Sequence, residues 1–349
     1  MGKCVIRDCK KSGYILAFDK DEGQFIRQGK NGSDPFWNVE GPELLDISIT
    51  NYCERKCEFC YRLSNQKGKH MTLEDYKMIV EQAQKMGVLQ IALGGGNPNQ
   101  HPNFIEILQI TREYGIVPSY TTNGQGITKN ILRATKDNCG AVAISWYNPH
   151  KEAMAVIREC NEYGIKVNIH FMLDKNTVIE AIKLLKEGDE ILKLVNAIVF
   201  LNYKPIHTST EVTLQKSKHI QEFLECVKNA KVCKIGFDSC MISYLTLMSD
   251  SFWMDTVDYC EAARFSAFIS EELIMYPCSF YNDVGAVGVN LRKDSMKYGW
   301  QQGGEFLEIR KRLITPGGQE YPVDLCNDCE KFHMCHGGCP KFNINMCGR

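Results

Sequence analysis

The chain has 349 residues, of which 44% are hydrophobic and 24% are charged, an ordinary composition for a globular protein. Its net charge of −1 gives no electrostatic reason to expect binding to nucleic acid or to an anionic membrane surface. No run of about 20 apolar residues is available to span a bilayer, and the first residues lack the apolar segment of a secretion signal.

The 17 cysteines are the unusual feature of this composition. Secreted chains that are rich in disulfides are usually much shorter than this one. Many of the cysteines fall into groups with the spacing of metal ligands, and a cysteine binds metal as a thiolate. Because the sequence shows no export signal, we expect a reducing, cytoplasmic location without membrane or nucleic-acid partners.

The first 43 residues predict a small N-terminal hairpin followed by a connector. Two apolar segments, at residues 14–18 and 24–27, flank an Asp-Lys-Asp-Glu-Gly turn. Residues 29–42 are rich in Gly, Pro and Asn, a composition that is typical of a connecting segment.

Strands and helices are predicted to alternate from residue 44 to about residue 250. Thr72 is a candidate N-cap and Gly87 a candidate stop for the first helix, and Pro102 suits the first turn of the second. This alternation implies an α/β fold with a parallel sheet and right-handed crossovers. The predicted strands are 44–50, 88–93, 116–122, 141–146, 165–173 and 197–202, and the predicted helices are 72–86, 102–114, 152–163, 178–186 and 216–230.

Three cysteines, Cys53, Cys57 and Cys60, directly follow the strand predicted at 44–50. Three thiolates at the spacing C-x3-C-x2-C can hold three corners of a [4Fe–4S] cube, whereas a fully ligated cluster usually has four cysteines. One iron is then left open to bind a substrate or cofactor. The loop is predicted at the C-terminal end of a strand, where barrel folds keep their chemistry. A structural zinc loop is the alternative.

This spacing, with the aromatic Phe59 between the second and third cysteines, resembles the radical S-adenosylmethionine (SAM) enzymes. The resemblance implies a partial (β/α)6 TIM-like barrel with SAM bound at the open iron of the [4Fe–4S] cluster. It also implies reductive cleavage of SAM to a 5′-deoxyadenosyl radical, which abstracts hydrogen from a substrate, and an external electron donor such as a flavodoxin or ferredoxin. The cofactor carries this chemistry while the protein positions the substrate.

Residues after three further strands resemble the cofactor contacts of this family. Glycine at a strand end lets backbone approach a ligand closely, and in relatives the position after the second strand is G-G-E-P, whose backbone meets the amino group of SAM. Gly96 is interpreted as standing in place of the acid, so only the backbone part of that contact is expected; a plain turn is the alternative. The candidate cofactor residues are Phe59, Gly94, Gly95, Gly96, Asn97, Asn123 in a T-N-G run, and Ser145 as a ribose contact.

From residue 251 the alternation fades and cysteines become dense, so residues 251–349 are predicted to be a separate, loop-rich domain after a barrel at 44–250. The pattern C-x2-C-x5-C-x3-C, preceded by Y-P-C, resembles the SPASM extension of radical SAM enzymes, which carries auxiliary [4Fe–4S] clusters. A tetrahedral zinc site needs only four ligands, fewer than this set supplies. The set consists of Cys260, Cys278, Cys326, Cys329, Cys335, Cys339 and Cys347.

The resemblance implies that two auxiliary clusters divide these ligands. Cys326, Cys329, Cys335 and Cys347 would hold the outer cluster, and Cys260, Cys278 and Cys339 the inner one. The inner set has only three members, which leaves either an open iron or a fourth ligand at Cys240. Cys240 is alternatively a catalytic thiol that donates hydrogen to a substrate radical, and Asp238 is a candidate general base. The remaining cysteines lack ligand spacing and are expected to be buried as small hydrophobic residues.

Auxiliary clusters of this type suggest a peptide substrate. The first hypothesis is a maturase that forms a thioether or carbon–carbon cross-link in a ribosomally synthesised peptide. Residues 1–43 are too few for a fused winged-helix leader-binding domain, so leader recognition would fall to a separate partner protein or to the N-terminal hairpin.

Three alternatives remain open at this point. An anaerobic sulfatase-maturating type of oxidation would need the Asp that those relatives carry after Y-P-C, and this chain has Ser279 there, a poor base at neutral pH. A small-molecule dehydrogenase or epimerase is not excluded. A non-catalytic iron–sulfur electron carrier would be distinguished by its failure to cleave SAM.

Overall fold

The computed structural model describes residues 3–188, 190–231, 233–246, 257–282, 285–316 and 326–347. The chain divides into two units, each assembled from separate parts of the sequence. The first comprises Met1–Ala143, Glu162–Lys166 and Ala262–Leu307, and the second comprises Ile144–Asn161, Val167–Glu261 and Glu308–Arg349. The division into three consecutive domains that the sequence suggests stays a prediction.

The first unit begins with a three-stranded antiparallel sheet, formed by β1 (Cys4–Cys9), β2 (Tyr14–Asp19) and β3 (Gln24–Gly29). The predicted hairpin corresponds to β2 and β3 and is confirmed. Side chains alternate across β2, so that Tyr14, Leu16 and Phe18 are buried in one apolar cluster. The sequence analysis missed β1, because Ile6 at its centre is exposed and its alternation is weak.

The main sheet of the first unit consists of parallel strands joined by helices. The elements are β4 (Leu44–Thr50), α1 (Leu73–Met86), β5 (Gln90–Gly95), α2 (Phe104–Glu113), β6 (Val117–Thr122), α3 (Lys129–Asn138), β11 (Ser266–Ile269), β12 (Ile274–Tyr276), β13 (Val289–Asn290) and α8 (Met296–Gln302). The strands occur in the order β6-β5-β4-β11-β12-β13. Strand β11 pairs in parallel with β4, whereas β12 pairs antiparallel with both β11 and β13.

The second unit continues the alternation, and its strands β8, β9 and β10 pair in parallel. Its elements are β7 (Val142–Ser145), α4 (Lys151–Glu162), β8 (Val167–Leu173), α5 (Thr177–Glu187), β9 (Ala197–Asn202), α6 (Ile220–Asn229), β10 (Lys234–Phe237), α7 (Ile242–Leu245), α9 (Gly304–Ile314) and α10 (Phe332–Cys335). Three of these elements, β7, α4 and α9, contain residues of both units.

Local chemistry explains where the helices start and stop. The Thr72 side chain accepts a hydrogen bond from the Asp75 N–H (3.1 Å), and Gly87 ends α1 in the left-handed region with φ +80°. Both predictions are confirmed. Helix α3 was not predicted, because its sequence is mostly polar and offers only Ile131, Leu132 and Ala134 as apolar residues for the core.

The fold class predicted from the sequence is confirmed: it is α/β, with a mostly parallel sheet consistent with a partial TIM-like barrel and with a small N-terminal antiparallel sheet. The strand predicted at 88–93 lies two residues further along, at Gln90–Gly95, because the ladder with β4 extends into the glycines. None of the helices within the described residues has both the length and the apolar content needed to cross a bilayer.

Candidate functional site

Residues 53–60, here called the N-terminal cysteine loop, leave the sheet at the C-terminal end of β4. The backbone just before the loop is hydrogen-bonded to the end of β5: Gly96 N–H donates to the Thr50 carbonyl (2.7 Å) and Asn97 N–H to the Tyr52 carbonyl (2.9 Å). Within the loop, Cys53 N–H donates to the Asn65 carbonyl (3.1 Å). The loop is therefore positioned by backbone bonds at an edge where parallel-stranded folds bind ligands.

The three glycines at the C-terminal end of β5, Gly94 to Gly96, have two different roles. A Cβ atom on Gly96 would lie 2.0 Å from the Tyr52 carbonyl oxygen, and one on Gly95 would lie 2.1 Å from that of Thr50. Gly95 also has φ +109°, a region that favours glycine. Gly94 has no atom within 4 Å of the added Cβ position. Two glycines thus allow close backbone contact within the protein, and only Gly94 leaves space for a ligand.

The three thiols of the N-terminal cysteine loop lie close enough to act on one another electrostatically. Burial raises the pKa of the Cys53 and Cys57 thiols, the charge of Cys60 adds to the rise, and Arg55 opposes it. The Asn123 side-chain amide donates to Cys53 Sγ (3.4 Å). Hydrogen bonds to sulfur are a normal feature of iron–sulfur ligands, so this donor set fits a cluster.

Asn97 is fully buried, and its side chain connects the end of β5 with the segment after β6. Its Oδ1 accepts from the Thr122 hydroxyl (2.9 Å), and its Nδ2 donates to the Gln125 carbonyl (2.9 Å). When Pro98 is aligned with the proline of G-G-E-P, Asn97 and not Gly96 occupies the acidic position. The interpretation of Gly96 as the replaced acid is therefore corrected: the substituting residue is an amide that bonds within the protein.

The other predicted cofactor residues are less constrained by the structure. Phe59 is half-buried within the N-terminal cysteine loop. Ser145 is buried at the last position of β7 and belongs to the second unit. Their roles as cofactor contacts stay predictions.

Sequence analysis missed a buried ion pair directly behind the N-terminal cysteine loop. Arg62 donates to Glu271 (2.7 Å), and both side chains are at least nine-tenths buried. The Ser48 hydroxyl also donates to Glu271 (2.7 Å). Because Glu271 lies more than 200 residues along the chain, no local pattern could have revealed this partner.

Tyr61 and Ser279, the residue interpreted as replacing a catalytic Asp, share a hydrogen bond between their hydroxyl groups. Burial raises the pKa of Tyr61 to about 12. Ser279 therefore serves as a partner of a half-buried tyrosine within the first unit.

Residues 326–347, here called the C-terminal cysteine segment, contain five cysteines. The thiols of four of them interact with one another electrostatically. Burial raises the pKa of Cys335 to about 12 and that of Cys326 to about 11, and the charge of Cys347 adds to both. Cys329 contributes to the rise at Cys326 and at Cys335. These are the four cysteines that the sequence assigns to the outer auxiliary cluster.

Cys339 is buried in the same segment, and both its thiol and its backbone N–H have hydrogen-bond partners. The Phe342 N–H donates to Cys339 Sγ (3.4 Å), and the Cys339 N–H donates to Asn345 Oδ1 (2.9 Å). Cys260, assigned with Cys339 to the inner cluster, is buried and belongs to the same unit, whereas Cys278 belongs to the first unit.

Asp238, the predicted general base, is half-buried and forms an ion pair with the buried Lys204. Sequence analysis did not identify this pair. Lys204 Nζ lies 2.5 Å from Asp238 Oδ2, and Asp238 Oδ1 accepts from the Asn202 N–H (3.2 Å). Burial alone would lower the pKa of Lys204, but the charge of Asp238 raises it well above its ordinary value. Both carboxylate oxygens thus have partners, an arrangement that suits a structural role better than proton transfer.

The two histidines of the C-terminal cysteine segment have local partners. His336 stacks on Tyr259 with ring centroids 3.7 Å apart, and its Nδ1 lies 2.7 Å from the Leu313 carbonyl oxygen. His333 Nδ1 lies 2.8 Å from the Glu330 carbonyl oxygen.

Among the residues that the structure describes, no group of three or more His, Cys, Asp or Glu side chains is arranged to hold a single metal ion. A cube of four irons holds its thiolates further apart than one ion does. What the structure offers the cluster assignment is the proximity of the thiols, the N–H donors to sulfur and the open space at Gly94. The ligand assignments themselves stay predictions.

Comparison with known proteins finds a family model that matches part of this chain. Residues 47–188 match the model of the radical SAM superfamily. This range contains the N-terminal cysteine loop, the glycines at the end of β5, Asn123 and Ser145.

Two curated relatives show how far the similarity extends. A probable GTP 3′,8-cyclase of Pyrococcus horikoshii is 27% identical over 169 residues, which cover 43% of this chain and 54% of that protein. This chain thus matches only about half of that relative's length. The mycofactocin maturase MftC of Mycobacterium tuberculosis is 21% identical over 319 residues, which cover 86% of this chain and 79% of that protein.

Among solved structures, Streptococcus suis SuiB bound to its precursor peptide SuiA superposes with a TM-score of 0.74 at 16% identity. The match covers 97% of this chain and 94% of SuiB. At this level of identity the likeness concerns the fold, which the two proteins share over nearly their whole length.

Proposed function

We propose, with the radical SAM domain at residues 47–188 as the premise, that this enzyme cleaves SAM reductively and removes hydrogen from a peptide substrate. The product would be a thioether or carbon–carbon cross-link in a ribosomally synthesised peptide. Two comparisons support a peptide substrate: SuiB was solved bound to a precursor peptide, and a relative similar over 86% of this chain is named a maturase.

The observation that carries this proposal is the placement of the N-terminal cysteine loop. Three mutually interacting thiols follow the C-terminal end of β4, and the neighbouring strand end is hydrogen-bonded to the backbone that precedes them. Gly94, on that same strand end, leaves open space. No structural zinc site requires such an open neighbouring position.

The chain's own residues would hold and shield the cofactors. Cys53, Cys57 and Cys60 would bind the [4Fe–4S] cluster, and the Asn123 amide would stabilise the Cys53 sulfur. Gly94 would admit SAM to the open iron. When bound, the cluster would supply the electron that breaks a carbon–sulfur bond of SAM. Cys53 is buried, whereas Cys57 and Cys60 are half-buried and therefore more accessible from outside.

Two auxiliary clusters are part of the proposal. The outer one would be held by the four interacting thiols of the C-terminal cysteine segment, and the inner one would involve Cys339 and Cys260. An external flavodoxin or ferredoxin would supply electrons, and a separate protein could present the leader of the peptide.

The alternative oxidation to formylglycine has less support. It would need a carboxylate base after the Y-P-C cysteine, and the residue there, Ser279, shares its hydroxyl hydrogen bond with Tyr61. A hydroxyl group is a poor base at neutral pH.

The test is cleavage of SAM by anaerobically reconstituted, dithionite-reduced protein, followed as 5′-deoxyadenosine by mass spectrometry. We expect cleavage by the wild type, none by a variant with Cys53, Cys57 and Cys60 all changed to Ala, and full cleavage by Cys160→Ala, which removes a buried thiol without ligand spacing. Cleavage that persists in the triple variant, or zinc in place of iron in the purified protein, would refute the proposal.

Peptide specificity needs a second measurement. Candidate precursor peptides are incubated with the active enzyme and SAM, and each cross-link removes hydrogen from the peptide mass. Turnover of a free metabolite in the absence of any peptide would reject the substrate assignment while leaving the SAM chemistry intact.

A further inference from the structure

The turn between β11 and β12 lies beside the N-terminal cysteine loop, within the first unit. Strand β11 runs parallel to β4 and is paired with it. The residues that follow β11 therefore leave the sheet at the same edge as the residues that follow β4. The Leu273 N–H donates to the Ser270 carbonyl (2.9 Å), which closes the turn that contains Glu271 and Glu272.

The carboxylate of Glu271 joins β4 to the segment that follows the loop. Its Oε2 atom accepts hydrogen bonds from Arg62 Nη2 (2.7 Å) and from the Ser48 hydroxyl (2.7 Å). The Arg62 and Glu271 side chains are only 2% and 9% exposed, and the guanidinium lies 5.6 Å from the centre of the Phe268 ring. Separating the two charges would leave each of them buried without a partner, which is costly. The pair therefore restrains the chain at Arg62.

This restraint acts close to two of the three predicted cluster ligands. Arg62 is the second residue after Cys60. Two successive turns connect it with the ligands: the Cys60 N–H donates to the Cys57 carbonyl (3.1 Å), and the Leu63 N–H donates to the Cys60 carbonyl (3.1 Å). Leu63 has φ +48°, in the left-handed region that a leucine rarely adopts. A bond that fixes Arg62 therefore helps to hold the turns at Cys57 and Cys60 in this conformation.

The adjacent glutamate provides a natural comparison. Glu272 also pairs with a cation from the segment after the loop, Lys69 (2.6 Å), but these two side chains are 58% and 75% exposed. An exposed pair of this kind contributes little, because water and salt screen it. The buried Glu271 is thus the member of the two that is placed to restrain the loop.

We infer that Glu271 is a positioning residue for the cluster of the N-terminal cysteine loop. Through Arg62 it fixes the turns that place the Cys57 and Cys60 thiols, and through Ser48 it connects this arrangement to the end of β4. Glu271 acts through these residues and takes no part in the chemistry itself. The inference rests on the proposed function for the identity of the group that the thiols bind.

The first test uses the metal-free, reduced protein and compares Glu271→Gln with Glu272→Gln. Glutamine keeps an oxygen for the Ser48 hydroxyl but leaves the buried charge of Arg62 without its counter-charge. The amides of Cys60 and Leu63 should then exchange at least about tenfold faster than in the wild type, whereas Glu272→Gln should match the wild type. Hydrogen exchange with mass spectrometry measures both. Equal exchange in the two variants, or unprotected amides in the metal-free wild type, would refute the inference.

A double variant separates positioning from stability. Arg62→Met combined with Glu271→Leu replaces both charges by apolar side chains, and such a replacement of a buried pair is often neutral or stabilising. Its denaturant midpoint should therefore be at or above that of Glu271→Gln, while fast exchange at Cys60 and Leu63 persists. The double variant also carries the exchange test if Glu271→Gln does not fold. Wild-type protection in the double variant would mean that packing alone shapes the loop, and the inference would fail.

The iron-loaded protein supplies a spectroscopic readout. Because SAM would bind at the open iron, the change that SAM causes in the electron paramagnetic resonance spectrum of the reduced protein reports the N-terminal site and not the auxiliary clusters. Glu271→Gln should alter or abolish this change, and Glu272→Gln should retain it.

The two possible failures give different results. A wild-type response to SAM that is unaltered in Glu271→Gln refutes this inference alone. Wild-type protein that holds no iron, or whose spectrum does not respond to SAM, refutes the proposed function, and the exchange measurement on metal-free protein then decides by itself whether Glu271 restrains the loop.

Discussion

The N-terminal cysteine loop and the C-terminal cysteine segment are held in place by different kinds of bond. Beside the first, backbone groups of Thr50 and Tyr52 bond directly to the backbone at the end of β5. The second is attached to the rest of its unit mainly through side chains: Tyr244 donates to the Ile344 carbonyl (2.8 Å), Gln215 to that of Asn343 (2.8 Å), and Lys331 to that of Thr246 (2.6 Å).

The two candidate cluster sites therefore depend on different parts of the structure. In the first site, the pairing of β4 and β5 determines the position of the backbone that leads to the cysteines. The second has one short helix, α10, and depends on particular side chains and on its mutually interacting thiols. We therefore expect the first site to be largely formed without metal and the second to depend on it, since metal binding and folding are coupled in such segments.

Removing iron should give the largest effect. In protein stripped by a chelator under reducing conditions, the amides of residues 326–347 should exchange with an opening free energy close to zero, whereas residues 50–52 and 96–97 should stay protected by their mutual bonds. Hydrogen exchange with mass spectrometry measures both in one sample. Equal protection of the two regions after iron removal would contradict the comparison.

The same contrast explains what the sequence could predict. The alternation of β4 to α6, apart from the mostly polar α3, and the position of the N-terminal cysteine loop follow from local apolar patterns and from the caps at Thr72 and Gly87, so they were predicted. The bonds from Arg62 and Ser48, which flank the loop, to Glu271 were not predicted, because Glu271 lies far away in sequence from both residues. Hydrogen-bonded partners that are distant in sequence leave no periodic pattern.

The second site shows the limit more clearly. Cysteine spacing predicted ligands for it, a prediction that stays open, yet nothing in the sequence pointed to Lys204, because a lysine after a strand is normally exposed. Its burial became visible only when the end of β9 was placed beside Asp238. Asp238 was accordingly interpreted as a base, when the structure gives it an ion-pair partner.

The glycines at the end of β5 test how strictly the sheet determines the first site. Gly96→Ala should destabilise the protein by about 3 kcal/mol, the upper end of the usual range for overpacking, because its Cβ would meet the rigid Tyr52 carbonyl at 2.0 Å. Denaturant unfolding of the reduced apoprotein measures the change.

Gly94→Ala is the matched control, since the added Cβ meets no atom within 4 Å. Its free energy of unfolding should change by less than about 0.5 kcal/mol, while SAM binding weakens if the open space belongs to the cofactor. A stable Gly96→Ala variant, or a strongly destabilised Gly94→Ala variant, would show that the backbone contact does not determine this site.

A smaller effect on stability is expected from Asn345 in the second site. There a single side chain holds the backbone in place, whereas in the first site the pairing of β4 and β5 does so. It is fully buried, accepts the Cys339 N–H (2.9 Å) and donates to the carbonyls of Gly337 (3.1 Å) and Cys339 (3.3 Å). Asn345→Ala leaves these backbone groups without that partner and should cost about 2 kcal/mol. The exposed Asn343 is the control, and Asn343→Ala should change stability by less than about 0.5 kcal/mol. Thermal unfolding of the iron-loaded protein compares the two. If both variants behave alike, the C-terminal cysteine segment is held by its metal alone, and side-chain bonds do not maintain its fold.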